Sequence, residues 1–410
     1  MHHGPARLAP PHDVAAVRGE SVNVQDGRCR ATSAGWFLGI LLAALASDCG
    51  KDNPSQPKVP PPIRSLAFSA RPPISVGNTW STIAAGDFDH DGHSDLVTTS
   101  VDSPIVYLLL GKADGSFRAP ALLPIPARAG LAVDAVAGDW DHDGISDVAC
   151  NCYYATVFLY GREDGSFDST LIDERSPVVQ GSASVGDFNG DGIDDYASFN
   201  WDSWVVIAGD SGRMPKRIVS YTPPVIGWNP TFGTSADLDG DGTLDLALTR
   251  GVSKDHASIY YGYGDGRFRF PTPLSDAGGN YGICTISRKG GGPGRDLVMA
   301  HVVVDSVGVI PRIGGIIADE VIYHVSGSPC GLASADFDLD GIEDLVVACT
   351  NARSVAVLLG REDGTFAQAN YFYVGIYPSR LTVADLNGDG LPDVATIGNE
   401  EICVLINSSE

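Results

Sequence analysis

From Ile63 onward, short apolar runs alternate with polar turns that carry glycine, and one order of runs recurs along the chain. A small-residue segment such as Ser81–Gly86 precedes an acidic stretch, and a β-type run such as Asp95–Thr99 or Asp344–Ala348 follows it. A second apolar run then ends in glycine, as in Ile105–Gly111, Thr156–Gly161, Ile259–Gly262 and Val355–Gly360. Last comes an Asp-Gly turn leading into Phe and a short final strand, at Asp114–Phe117, Asp164–Phe167, Asp265–Phe268 and Asp363–Phe366. Runs this short, bounded by such turns, predict strands and hairpins rather than helices. Each unit therefore predicts four strands.

The acidic stretch sets the period. It reads Asp-x-Asp/Asn-x-Asp-Gly-x-x-Asp and starts at Asp87, Asp139, Asp187, Asp237, Asp336 and Asp385. Successive starts lie 52, 48, 50, 99 and 49 residues apart, so the long interval has room for one more unit. A decayed copy, Ser287–Asp296 (SRKGGGPGRD), fills it with its acidic ligands gone and one extra residue. Seven four-stranded units of about 50 residues predict an all-β fold, a seven-bladed β-propeller. The seventh unit stops after its third strand, at Leu405-Ile406-Asn407. Leu66–Pro72 resembles the outer strand around Phe117, so residues near 64–74 are expected to complete the last blade and close the ring.

Composition agrees with strands and turns, with 49 Gly, 26 Pro and only 3 Met in 410 residues. A formal net charge of −24, with no visible basic patch, excludes a nucleic-acid partner. Residues 1–46 read as a polar extension followed by a signal region: Arg28-Cys29-Arg30, the apolar run Trp36–Ala46, and the small-residue site Ala44-Leu45-Ala46. Eleven apolar residues are too few to span a bilayer, which needs about 20. Export is expected, giving a secreted, periplasmic or cell-surface protein. Cys49 offers a second route, a lipid anchor, although Asp48 stands where such signals carry a small residue; an uncleaved signal is the other possible membrane attachment. Residues 47–63 form a Pro-rich linker, and 64–407 the propeller.

The acid is placed for metal. Loop positions 1, 3, 5 and 9 are Asp87, Asp89, Asp91 and Asp95 in the first unit, and Asp139, Asp141, Asp143 and Asp147 in the second. They are Asp187, Asn189, Asp191 and Asp195 in the third, and Asp237, Asp239, Asp241 and Asp245 in the fourth. The sixth has Asp336, Asp338, Asp340 and Asp344, and the seventh Asp385, Asn387, Asp389 and Asp393. Several oxygens around one point, with Gly at position 6 allowing the chain to reverse, suit Ca²⁺ at about six sites better than Mg²⁺, which wants a stricter octahedron. The loops hold 22 carboxylates at these positions, and like charges so close together are destabilising without cations. An EF-hand is rejected. Position 12, where that loop needs Glu, is Thr98, Cys150, Ser198, Leu248, Val347 or Thr396, each within a β-type run.

The two spaced motifs together, Asp-x-Asp-x-Asp-Gly-x-x-Asp-Leu-Val and Leu-Leu-Gly-x-x-Asp-Gly-x-Phe, resemble the FG-GAP/VCBS repeat of integrin α chains and of many bacterial exported proteins. The resemblance covers about residues 64–407 and implies a seven-bladed propeller with calcium between the first and second strands. The fifth unit departs at Ser287–Asp296, and the third lacks its Phe at Ala208–Gly212. The family implies no single activity; it includes adhesion modules, carbohydrate-associated proteins and a minority of lyases.

On the face opposite the acidic loops, Trp80, Arg128, Tyr153, Tyr154, Trp201, Trp204, Trp228, Tyr281, Tyr377 and Arg380 are candidates for holding a glycan or protein ligand by stacking and anchoring. Packing between blades is the competing role for about half of them. No catalytic residues are assigned: no Ser/His/Asp arrangement or phosphate-cradling loop is present, and His256, His301 and His324 are isolated. Six cysteines lie beyond Cys49, an even count that suits an oxidising compartment. Cys330 and Cys349 flank the sixth acidic loop and could face each other across the hairpin, which would allow a disulfide. Cys150 and Cys152 share one strand face and are not expected to bridge, and Cys284 and Cys403 are expected as buried thiols. The chain thus reads as an exported calcium-binding propeller serving as an adhesion, glycan-binding or scaffold module. A lyase-type polysaccharide-active enzyme on the same fold is the alternative.

Overall fold

A computed structural model describes residues 65–409 apart from 78–81, 101, 174–181, 200–203, 222–229, 251–256, 275–279, 289–293, 314–315 and 399. The signal-like run, Cys49 and the Pro-rich linker lie outside the described residues, as do Trp80, Trp201 and Trp228. Apart from one 3₁₀ turn, Ala127–Ala129, the regular elements described are strands, and no helix among them is long and apolar enough to cross a membrane.

Seven four-stranded antiparallel blades follow one another along the chain. The first is built from Ile83–Gly86, Asp95–Thr99, Ile105–Leu109 and Ala121–Pro124, paired in sequence order. In each blade the first strand lies innermost and touches the first strands of both neighbours; contact between Arg380–Ala384 and Ile83–Gly86 closes the ring. The second strands are the most buried, with every residue of Asp95–Thr99 and of Asp344–Cys349 inside. Crowding at the axis explains the small residues of the inner strands. A side chain at Gly282 would meet the Cys330 carbonyl oxygen 2.0 Å away.

The core is divided among the gaps between blades. Seven apolar clusters lie one in each gap, so every blade is held from both sides. The residue at position 2 of the acidic loop is a recurrent wedge: Phe88, Trp140, Phe188, Leu238, Phe337 and Leu386 are all at most 2% exposed. Trp140 packs edge-on against Phe158 of its own blade and Tyr196 of the next, with centroids 5.6 and 6.4 Å away. Such pairs contribute roughly 0.5–1.5 kcal/mol beyond area burial.

The last blade is completed from the other end of the described chain. Phe68, Ser69 and Ala70 pair with Asn407, Ile406 and Leu405, and Ile74 and Ser75 with Ile402 and Glu401. Arg71-Pro72-Pro73 interrupts this edge strand, where a proline costs no ladder bond on its solvent side. The fifth blade carries an added short hairpin, Arg312–Ile313 with Ile316–Ile317, before its outer strand. The third keeps its fold without the hairpin Phe and has a register shift between Val206 and Ile207.

The disulfide that the spacing would allow is not formed. Cys330 and Cys349 are free thiols, as are Cys150, Cys152, Cys284 and Cys403. A bulge between Pro329 and Gly331 turns the two side chains apart. Cys330 Sγ faces the carbonyls of Pro378 and Ser379 in the seventh blade, whereas Cys349 is in the core toward the fifth.

Candidate metal centres

Each acidic loop joins the innermost strand to the second strand of its blade, so six of them lie on one face of the ring. Position 9 begins the second strand and is the best fixed. Asp95 is fully buried; its Oδ2 accepts the Phe88 N–H at 2.9 Å and its Oδ1 the Gly111 N–H at 2.7 Å. Asp147, Asp195, Asp245, Asp344 and Asp393 repeat both bonds with their own position-2 residue and the end of their third strand. One carboxylate therefore ties the loop to two strands. Burial pushes these acids up, to about 6 for Asp95, Asp245 and Asp393 and about 7 for Asp147, Asp195 and Asp344, even though the two N–H bonds pull the other way.

Positions 1 and 3 complete a concave set. Asp87 takes the N–H groups of Asp91 and Gly92 at 3.0 Å, and Gly92 makes the reversal at φ 84°. Carboxylate oxygens of Asp87, Asp89 and Asp95 lie within 4.8 Å of one another, as do those of Asp139, Asp141 and Asp147; Asp237, Asp239 and Asp245; and Asp336, Asp338 and Asp344. Asp89 Oδ1 is buried without a hydrogen-bond partner, while its Oδ2 lies 3.7 Å from Arg118; a bound cation would satisfy the unpartnered oxygen. An all-oxygen, multiply charged set of this kind fits a hard divalent ion. Several of the loops can hold metal.

Position 5 stands apart from these sets. Asp91, Asp143, Asp191, Asp241, Asp340 and Asp389 each accept the N–H of position 7 and serve as turn caps. In the third and seventh loops an amide replaces the position-3 carboxylate. Asn189 donates to Asp195 at 3.0 Å, and Asn387 to Asp389 at 2.9 Å.

Arginine stands beside four of the loops: Arg118 is 3.7 Å from Asp89 and Asp91 in the first, Arg269 is 3.8 Å from Asp241 in the fourth, and the fifth and second hold theirs closer. In the decayed fifth copy, Arg288 Nη2 lies 2.5 Å from Asp296, the position-9 equivalent, whose other oxygen takes the Arg312 N–H at 2.6 Å. In the second loop, Arg213 from the third blade reaches Asp141 at 2.5 Å, Asp143 at 3.1 Å and Asp168 at 3.0 Å. Sequence reading missed Arg213; the signal was an arginine in the turn region of a unit that lacks the hairpin Phe.

The ligand candidates on the opposite face are dispersed. Tyr153 and Tyr154 form the turn between the second and third strands of the second blade, close to the 3₁₀ turn that carries Arg128. Tyr377 lies between the sixth and seventh blades, and Arg353 stacks on its ring at 4.1 Å. Tyr281 is on the inner strand of the fifth blade. Trp204 is not a loop residue: it begins a third strand, is 2% exposed and packs against Tyr260 and Phe268 of the fourth blade. Its indole is too large and apolar to remain outside a gap of that size. Arg380 alone of the described candidates lines the axial channel.

Residues 87–150, 187–248 and 336–396 match the FG-GAP-like repeat family. No curated protein matches the chain. Among solved structures, BBS1N from its complex with ARL6DN shares 9% identity at TM-score 0.59, over 85% of this chain and 97% of that one. Hydrazine synthase of Kuenenia stuttgartiensis shares 11% at TM-score 0.55, over 82% and 99%. A lectin of Agrocybe aegerita, solved for its recognition of non-reducing terminal N-acetylglucosamine, shares 14% at TM-score 0.51, over 76% and 81%. At such identities the likeness is one of fold.

Proposed function

The chain is a seven-bladed propeller of FG-GAP-like repeats, and from that premise we propose that it is an exported module, stabilised by calcium in its six acidic loops, that binds a glycan or a protein. The carrying observation is the convergence of three carboxylates within 4.8 Å in four loops, each around a buried position-9 aspartate. In the third and seventh loops, Asn189 and Asn387 would supply an amide oxygen in place of the third carboxylate, at lower charge. Positions 1, 3 and 9 would hold the ion, with position 5 turning in from its cap. A bound divalent cation supplies the positive charge that relieves repulsion among the loop acids. Because the unfolded chain cannot assemble the site, binding stabilises the native blades.

Binding is favoured over lyase chemistry by placement. The acidic loops follow the ends of the inner strands, whereas Arg380 and the aromatic turns lie at their beginnings. A calcium ion in a loop is thus remote from the channel groups that would have to act on a sugar. Recognition of a sugar by the A. aegerita lectin, and the complex formed by BBS1N, are what those propellers do and support the same class here. Export rests on the signal-like run Trp36–Ala46 alone, since the six free thiols add nothing to it.

Native mass spectrometry with calcium should count six ions, and calorimetry should show melting lowered by a chelator. Calcium at one hundred times its dissociation constant adds about 2.7 kcal/mol for each site. An unchanged melting temperature in chelator would remove the metal reading.

A further inference from the structure

The seven inner strands leave a cavity of about 390 Å³ on the ring axis, a size suited to one sugar-sized molecule. Most of its wall is backbone and small side chains. Three polar groups stand out. Arg380, at the start of the seventh blade's inner strand, reaches across until its guanidinium carbon is 3.8 Å from the ring centre of Phe232 in the fourth blade. Stacking of this kind fixes the guanidinium plane and leaves its N–H edge free. Among the described residues that edge has no hydrogen-bond partner, although a guanidinium offers five donors. Ser182 is 7% exposed, lines the same cavity, and its Oγ also has no partner among the described residues. Asp134 is 8% exposed, and its oxygens accept the Ala135 N–H at 3.1 Å and the Ala183 N–H at 2.8 Å. Each oxygen keeps further acceptor capacity.

These groups define a ligand by its chemistry. Asp134 acts on Arg380 as its opposite charge across the cavity, but no hydrogen bond joins them among the described residues, so the guanidinium edge still offers two parallel N–H donors to one planar monoanion. A dianion such as phosphate would bring excess negative charge near Asp134, and a neutral sugar would leave the arginine edge unsatisfied in a confined space. Asp134 and Ser182 call for hydroxyl groups beside the anion. We propose that the axial channel binds a hydroxylated carboxylate of monosaccharide size, a hexuronate, with its carboxylate on Arg380 and its hydroxyls on Asp134 and Ser182. The proposal rests on the binding-module reading and names its ligand class; it requires nothing of the metal loops.

The test is calorimetric titration of the intact, calcium-loaded protein with D-glucuronate, its methyl ester, glucose and a short oligouronide. Glucuronate should bind at one site, and the ester, which keeps the shape but not the charge, at least tenfold more weakly. Arg380→Gln should weaken glucuronate by a similar factor. The ester comparison on the unaltered protein decides independently of whether that variant folds. Equal affinity for acid and ester, retained binding in a folded Arg380→Gln protein, or no saturable heat with any uronate overturns the proposal. Tighter binding of the oligouronide assigns the end of an acidic polysaccharide as the source, and equal affinity assigns the free sugar acid; either result supports the site. A negative titration beside an intact chelator-sensitive melt would remove the channel ligand and leave the calcium-stabilised module standing.

Discussion

The first and fifth blades have the same strand order and bury the same loop-ending aspartate, Asp95 in one and Asp296 in the other. Their surroundings differ. Asp95 faces Asp87 and Asp89 with all three carboxylates convergent, whereas Asp296 faces Arg288. Both aspartates also give one oxygen to a backbone N–H at the end of the third strand, from Gly111 or Arg312. That tie is what the two blades share. The requirement of the fold is a buried carboxylate stapling loop to strand, and positive charge beside it is the variable part. In the fifth blade the chain sets that charge directly against the buried aspartate; in the first, Arg118 stays 3.7 Å from Asp89 and Asp91 and the three convergent carboxylates leave room for an ion. The second loop lies between the two, with its three convergent acids retained and Arg213 laid against one of them.

The comparison can be broken at the staple. Asp95→Ala orphans two buried N–H donors at roughly 1–3 kcal/mol each and removes a metal ligand, so urea denaturation should show a loss of about 2–5 kcal/mol in calcium. A loss below about 1 kcal/mol would deny the staple its role. Next in size is Arg288→Ala, which leaves Asp296 buried and unpaired at a cost of about 2–3 kcal/mol. That loss should be the same in calcium and in chelator, because the fifth loop uses no ion. A calcium-dependent loss would mean that metal binds there too.

Acidity separates the blades more gently. Without metal, the six buried acids titrate at about 6 to 7, above the ordinary 3.8. A group raised on folding adds stability that is full below its unfolded value and lost as pH rises through its folded value. In chelator, melting should therefore rise as pH falls from 8 to 5. In limiting calcium the trend should weaken or reverse, because protons compete with the ion for the same oxygens. A chelated melt that is flat across this range would contradict the burial account. The smallest effect belongs to Arg213→Ala, which should tighten calcium at the second loop by a few-fold, read as one altered step in a calcium titration. Unchanged stepwise affinities would show that the arginine does not compete.

The blades were legible because their signals are repeated. Period, paired motifs and the missing last strand all follow from residues that recur, so errors in one unit are corrected by six others. Two features of the loops could be read only in part. Position 4 is left-handed in all six: Gly190, Gly240 and Gly388 announce it, while His90, His142 and Leu339 adopt φ of 55–59° with no such sign. Position 5 reads as a ligand by its charge, yet local geometry gives it the nearest free N–H. The cysteine pairing misled because spacing along a hairpin is blind to a bulge, and one inserted residue at Cys330 reverses the face a side chain takes. Arg380 and Asp134 lie far apart in sequence, and only ring closure brings them to a common axis.

Ring closure also imposes an order in time. The Ala67 N–H is bonded to Ser409 Oγ, 342 positions away, and the edge strand beside it has no partner until Leu405–Asn407 have left the ribosome. Throughout synthesis the earliest blade-forming segment must wait, unpaired, for the latest. A chain lacking Leu405–Asn407 would leave Phe68–Ala70 without their partner strand. Closing the last blade is therefore the most distant strand pairing of the ring, and until it forms the last blade keeps an open edge whatever the state of the other six.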